Sequence, residues 1–201
     1  DYYRELSLDS ARTVVRYKVD GVTYRRETIT SFTSQVVMVR LTADKPGMIT
    51  CNALLTTPHQ DPVIASEGNC VTLSGVSSWH EGLKGKVLFQ GRLTATTQGG
   101  KVSCQDGTLS VEGADEAVLY VSIATNFNNY NNIDGNEVER SKNFLDKALK
   151  RSYADDVKAH VAYFRQFMDR SSLNLGDDQF AHVTTDMRVE RFKETNDTFL
   201  V

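Results

Sequence analysis

The sequence predicts a mainly β protein, an antiparallel β-sandwich followed by C-terminal α-helices. Three observations carry this prediction. Between residues 13 and 124, apolar residues recur in short runs with a period of two, the pattern of half-buried strands. The runs are separated by turn signals (Asp20-Gly21, Pro46-Gly47, Gly99-Gly100, Asp106-Gly107) at the near-regular spacing of a sandwich. Beyond Ala124 the alternation stops and a helical period takes over.

Residues 3–8 suit an opening strand, with Asp9-Ser10 as a break. Residues 13–42 then read as three consecutive strands. Val15, Tyr17 and Val19 alternate with Arg16 and Lys18, and Val22 and Tyr24 alternate with Thr23 and Arg25. Asp20-Gly21 supplies the two positive-φ residues of a type I′ turn, which sets the register. Val19 then faces Val22, Tyr17 faces Tyr24, and Arg16 falls opposite Arg25. The first two pairs should each contribute roughly 0.2–1 kcal/mol. Facing arginines require either a wet surface or a nearby carboxylate. Residues 36–41 are apolar on both faces apart from Arg40, as expected of a strand inside the sheet.

Pro46-Gly47 fits the centre of a type II turn, after which residues 48–55 should return antiparallel. Residues 56–69, with Pro58 and Pro62, read as a loop, and residues 71–76 as a short strand. Residues 77–85 form a glycine-rich loop carrying the only tryptophan, Trp79. Val87, Phe89, Gly91, Leu93 and Ala95 share one face of the next strand. Residues 102–105 and 108–112 make a hairpin around Asp106-Gly107. Residues 113–116 turn again, and residues 117–124 are apolar almost throughout, another interior strand.

Residues 126–132 are rich in asparagine and suit neither helix nor ladder. Asn136 with Glu139 is an asparagine-capped variant of the capping box, and Val138, Leu145 and Leu149 would line the face of the helix that follows. Ser152 with Asp155 opens a second helix, whose stripe would be Tyr153, Val157, Val161, Phe164 and Met168. That stripe is too apolar for water, so the helix should pack on the sandwich or on a further domain. Residues 173–176 read as extended, 177–185 as irregular, and 186–193 as a short helix.

The totals narrow the function classes. Two hundred and one residues with a formal net charge of −3 lack the basic stripe of a nucleic-acid surface. No apolar run approaches the ~18–20 residues of a membrane span. The chain starts on strand-like sequence without an initiator Met and stops on Phe199-Leu200-Val201, so a partial chain is expected. Cys51, Cys70 and Cys104 show no CxxC spacing. Cys51 and Cys104, the latter opposite Leu109, read as buried free thiols. Cys70 shares its phase with Thr72 and Ser74 and reads as exposed. A Cys51–Cys70 disulfide is left open.

No cofactor or metal is expected, since His59, His80, His160 and His182 lack ligand spacing. His160 borders an aromatic helix face and reads as core or edge. Asp20, Asp106, Asp115, Glu116 and Asp155 sit in turns or on helix surfaces, where acids are structural. Two loops remain as carbohydrate contacts. Trp79 with His80 offers an indole beside a hydrogen-bonding ring, and Asn126, Asn128 and Asn129 offer amides for sugar hydroxyls. The competing account of both loops is side-chain-to-backbone bonding that fixes the loop itself.

Tyr3-Arg4-Glu5-Leu6-Ser7-Leu8-Asp9-Ser10-Ala11, Val19-Asp20-Gly21-Val22-Thr23-Tyr24-Arg25-Arg26-Glu27, residues 35–47 and Gly113-Ala114-Asp115-Glu116-Ala117 resemble glycoside hydrolase family 95. Residues 160–167, 172–176 and 184–188 resemble that family's interdomain linker. The resemblance covers essentially the whole chain. The family comprises α-L-fucosidases and some α-L-galactosidases, often from gut bacteria. It implies a β-super-sandwich (here residues 1–127, starting mid-domain), a helical linker (residues 128–201) and an (α/α)6 barrel beyond it. The family's inverting machinery lies in the barrel, so no catalytic residue is carried over. A periplasmic or extracellular setting is implied likewise. The partners implied are a glycan substrate, reached through the barrel, and the rest of the polypeptide. A carbohydrate-binding or structural module without catalysis is the alternative.

Overall fold

The computed structural model describes residues 1–173, 176, 178–195 and 197–200. The expected extended run at Asn174 and Leu175, the start of the irregular stretch at Asp177 and the terminal Val201 lie outside the described residues. Two compact units are present, Asp1–Gln166 and Phe167–Val201.

In the first unit, β1 (Tyr2–Ser7), β2 (Arg12–Val19), β3 (Val22–Ser31) and β4 (Val36–Ala43) form a meander. After β5 (Ile49–Leu54) come β6 (Val63–Glu67), β7 (Cys70–Val76) and β8 (Leu88–Gln98), a second meander. β9 (Lys101–Gln105) and β10 (Thr108–Ala114) make a hairpin, and β11 (Glu116–Thr125) closes the set. The large sheet has eight strands in the order β1-β2-β3-β4-β11-β8-β7-β6, and the small one has three, β5-β10-β9. All named pairs are antiparallel.

The central hairpin follows its turn chemistry. Asp20 and Gly21 have φ of 50° and 73°, and the register pairs Val19 with Val22, Tyr17 with Tyr24, and Arg16 with Arg25. Tyr17 and Tyr24 stack with ring centroids 5.3 Å apart. β4 lies between β3 and β11, inside the sheet as its two apolar faces require. The second Asp-Gly hairpin places Cys104 opposite Leu109.

Two expectations about strands are corrected. β5 does not pair back onto β4; it crosses to the small sheet and pairs with β10. Residues 56–69 are not all loop, because Val63–Glu67 pairs with β7 as an edge strand. All five of its residues are exposed, so neither face carries the burial pattern that marks a strand.

The small sheet packs on one face of the large one. Ile49, Val111, Ala114 and Ala117 form one core cluster there, and Val71, Leu93 and Leu109 another. On the opposite face, Ile29, Val36, Met38, Val118 and Tyr120 are covered by helix α1 (Glu137–Leu149) through Leu145 and Ala148. Asn136 caps α1 by accepting the Glu139 N–H at 2.9 Å. The face predicted for this helix is rotated, however. Val138 and Leu149 are 43% and 41% exposed, while Ser141, Leu145 and Ala148 are buried. The Ser141 hydroxyl donates to Gln90 (2.9 Å), and its carbonyl accepts from the Ser122 hydroxyl (2.8 Å). A polar patch of the sheet thus selects the helix face, which apolar periodicity cannot register.

Helix α2 (Tyr153–Met168) is corrected in the same sense. Tyr153 and Val157 pack on the sandwich core, but the buried positions are Asp156 and His160, and Met168 is exposed. Asp156 Oδ1 accepts from the hydroxyls of Ser31 (3.0 Å) and Ser34 (2.7 Å) at the β3–β4 turn. His160 Nε2 lies 2.9 Å from the Ala11 carbonyl, which can only accept, so the ring proton sits on Nε2. Tyr163 stacks on Phe32 at 3.9 Å. The helix is therefore docked largely by polar contacts to turns. All three cysteines are half-buried free thiols, Cys70 included. Burial pushes each thiol pKa up, which leaves them poorly reactive.

The second unit contains α3 (Thr185–Thr195). Arg188 clamps Asp197 with two bonds of 2.6 and 2.7 Å and reaches Asp178 at 2.9 Å.

On the helix side of the large sheet, Glu27 is only 4% exposed and sits among arginines. Arg12 (2.9 Å) and Arg25 (3.0 Å) share its Oε1, and Arg40 reaches Oε2 at 3.3 Å. Arg40 also pairs with Glu116 at 2.6 Å and lies 5.5 Å from the Tyr153 ring centroid. The Tyr153 hydroxyl is buried with no hydrogen-bond partner among the described residues. Burial, and then the Glu27 charge, push its pKa up to about 12. The folded form therefore keeps its proton where the unfolded chain, with an ordinary value of 10.0, loses it, and stability falls as pH rises between those values. Tyr153→Phe should melt at the wild-type temperature or above near neutrality and should lose less on going to about pH 11. Parallel melts at the two pH values check this, and equal alkaline losses would refute it.

Candidate functional site: an apolar groove at the loop end of the sandwich

At one end of β7, β8 and β11 the large sheet extends past the small one. An apolar groove of ≈ 360 Å³ lies there, lined by residues that include Leu55, Leu73, Phe89 and Ile123, with His59, Ser77 and Thr125 among its polar members. The volume falls within the range of small-molecule sites, about 300–1,000 Å³. Phe89 pairs in register with Gly75 and lies across it; a Cβ there would sit 2.6 Å from the ring. The glycine thus admits the ring as part of the groove wall. His59 tilts against Phe89 with centroids 5.0 Å apart. Its Nδ1 accepts the Ser78 backbone N–H at 3.1 Å and lies 2.7 Å from the Ser78 hydroxyl. A backbone N–H can only donate, so the imidazole proton is on Nε2.

Two predicted loops border this end. The first is closed at its base by Ser77 N–H to Val87 C=O at 2.8 Å. It turns at Glu81-Gly82, both with positive φ, between reciprocal bonds of His80 and Leu83. Trp79 is 64% exposed on it. The second starts at Asn126, which is only 5% exposed and whose Oδ1 accepts the Leu88 N–H at 2.9 Å. That pair of contacts brings the asparagine loop to the same end of β8 as the tryptophan loop.

The asparagine side chains engage the loop itself. Asn128 bonds Asn132 and Arg140, and Asn129 Oδ1 accepts the Asn131 N–H at 3.0 Å. Arg140 also donates to the carbonyls of Thr125 (2.9 Å) and Phe127 (3.0 Å), which fastens the loop to α1. Sequence reasoning passed over His59, Phe89 and the aromatics exposed near this end, Phe127 and Tyr130, the latter 89% exposed. Phe89 sits in an alternating strand and reads as core. Tyr130 is the signal that was there to be used, an aromatic in a polar loop with no apolar neighbour in phase.

Among the described residues, no group of three or more His, Cys, Asp or Glu is placed to hold a metal ion. None of the helices described is long and apolar enough to cross a membrane.

Residues 1–130 match the family model described as glycosyl hydrolase family 65, N-terminal domain. The chain is similar to "Alpha-L-fucosidase 2" of Arabidopsis thaliana, 27% identical over 232 aligned residues. The alignment takes in 100% of this chain and 27% of that protein, so the chain spans about a quarter of its relative's length. Among solved structures it is similar to a "Putative kojibiose phosphorylase from human microbiome", with a TM-score of 0.52 and 14% identity. That match covers 83% of this chain and 25% of the other.

Proposed function

Because the chain belongs to the glycosyl hydrolase family 65 N-terminal domain family, we propose that it is the non-catalytic sandwich and linker segment of an exo-acting glycoside hydrolase of the family 95 type. The whole protein would remove terminal α-L-fucosyl or α-L-galactosyl residues from glycans with inversion. The observation that carries this is the end-to-end alignment of all 201 residues with part of an α-L-fucosidase. Residues 1–127 would be the sandwich part and residues 128–201 the connection to a catalytic barrel that holds the substrate. An exported, periplasmic or extracellular setting belongs to the same proposal.

Assay of the full-length gene product and of this chain on aryl α-L-fucosides and α-L-galactosides tests the reading. Turnover by the full-length protein alone is the expected result. Turnover by neither removes the enzyme reading, and turnover by this chain alone relocates the chemistry.

The three-stranded second layer also leaves apolar positions of the large sheet incompletely covered. Val37, Val39 and Val121 are only half-buried, Ile123 is exposed, and β5 and β9 have free edges. In this reading the rest of the polypeptide covers that face. The isolated chain should therefore bind a hydrophobic dye or self-associate at micromolar concentration. A dye-silent monomer in sedimentation velocity would contradict the expectation.

The exposed Trp79 and Tyr130, on the two loops that leave this end of β8, favour a second reading, a carbohydrate-binding module. Saturable binding of a fucosylated oligosaccharide that Trp79→Ala abolishes, with no turnover by the full-length protein, would favour it over the first.

A further inference from the structure

Away from the groove, on the helix-side face of β1, β2 and β3, a polar cavity of ≈ 260 Å³ is lined by Tyr3, Glu5, Arg12, Val14, Arg16 and Arg25. Half of those residues are arginines, and the carboxylates around them do not satisfy them all. Glu5 is turned towards the Tyr3 hydroxyl, which donates to it at 2.9 Å. Glu27 is shared by Arg12, Arg25 and Arg40, and Glu116 takes Arg40. Arg16 makes no ion pair among the described residues; its guanidinium lies 5.5 Å from the centroid of the Tyr3 ring.

The register sets Arg16 directly opposite Arg25, and facing like charges destabilise a strand pair. Each guanidinium has five N–H donors in a planar fork, more than the bonds these residues make among the described residues. Arg12, which also lines the cavity, has its Nε buried without a hydrogen-bond partner among the described residues. The chemistry that answers two facing forks is an anion with several acceptor oxygens in fixed geometry, because bidentate guanidinium–oxyanion pairs are among the stronger hydrogen-bonded contacts.

We propose that this cavity is an oxyanion-binding site in which a carboxylate, sulfate or phosphate group is held between Arg16 and Arg25, with Arg12 behind. The oxyanion is either an inorganic ion or the acidic substituent of a sugar. Tyr3, 40% exposed beside the cavity, is placed to touch a ring attached to the charged group. The site lies on a separate face from the groove, and its charge and geometry stand whether or not the whole protein is a fucosidase.

The test titrates the 201-residue chain with sodium sulfate, inorganic phosphate and sodium glucuronate, against sodium chloride at matched ionic strength, following thermal shift and arginine Nε resonances. Saturable shifts with the oxyanions and none with chloride are expected. Arg16→Ala should weaken binding at least tenfold. Arg16 is exposed, so its variant should fold, and its titration is the decisive one. Arg25→Ala should weaken binding similarly, with Arg25→Lys between it and wild type. Arg4→Ala removes the same charge from the opposite face of β1 and should leave binding unchanged. Tighter binding of glucuronate than of sulfate and phosphate identifies the ligand as an acidic sugar, and equal affinities identify a bare oxyanion. Oxyanion responses no different from chloride, or unaltered in Arg16→Ala, would overturn the proposal.

Discussion

Glu27→Ala should destabilise the chain by about 3–5 kcal/mol, the usual cost of breaking a buried ionic cluster by removing one partner. Three guanidiniums lose their shared carboxylate at once. The expected value lies at the lower end of that range, because Arg12, Arg25 and Arg40 are 31%, 40% and 33% exposed and can regain water. Glu116→Ala removes a rim partner of Arg40 alone and should cost about 1 kcal/mol or less. Urea denaturation of the two variants measures the contrast, and near-equal losses would show that the cluster is not the hub its geometry describes.

The same residue sets a pH dependence. Burial alone would raise the Glu27 carboxyl. The Arg25 hydrogen bond and the charges of Arg25, Arg12 and Arg40 outweigh it, and the pKa lies below the ordinary 4.5. A carboxyl depressed in the folded state contributes stability that is present above the unfolded value and disappears as pH falls through the folded one. Glu27→Gln should therefore flatten the acid limb of the stability curve below about pH 5 while costing stability at pH 7.

Asp156→Ala should cost about 3 kcal/mol or more. It removes two hydroxyl-to-carboxylate bonds, each worth about 1.5–3 kcal/mol for a charged acceptor, and leaves the buried Ser31 and Ser34 hydroxyl protons without that acceptor, although Ser31 Oγ still accepts the Ser34 N–H at 3.0 Å. Arg151, 3.3 Å from the same oxygen, is 33% exposed and loses less. Asp156→Asn keeps an acceptor oxygen for the serines and should cost less than the alanine variant. Phe164→Ala should cost less again, because Phe164 is only half-buried. Denaturation gives the order, and limited proteolysis should show cleavage within α2 of Asp156→Ala before the sheets are cut. A larger loss from Phe164→Ala would restore the apolar stripe as the anchor.

The contrast between those two residues shows what the sequence could and could not convey. Strands and registers were legible where turn chemistry is local: Asp20-Gly21 dictates which residues of β2 and β3 face each other. β6 was not, because five exposed residues after Pro62 carry no burial signal. The docked faces of α1 and α2 escaped as well, since Ser141, Asp156 and His160 are polar and an apolar count passes over them. The groove was least legible of all. Leu55, Leu73, Phe89 and Ile123 each obey the alternation of their own segment, and only the sheet order brings them together. Trp79 and Asn126 stand out in the sequence by residue type alone, and the structure gives Asn126 a bond to the Leu88 backbone.

The placement of β11 has a consequence for the order in which the protein can form. The large sheet consists of two local meanders, β1 to β4 and β6 to β8, and β11 joins them by pairing Val36–Ala43 on one side and Leu88–Gln98 on the other. Until about residue 125 has left the ribosome, the apolar β4 has an unpaired edge, and so does β8. Long-range pairing of this kind is slow, and unpaired apolar strands are where nascent chains stick to one another. Synthesis stalled just short of β11 should give a chaperone-dependent intermediate, and release of β11 should be the step that closes both halves together.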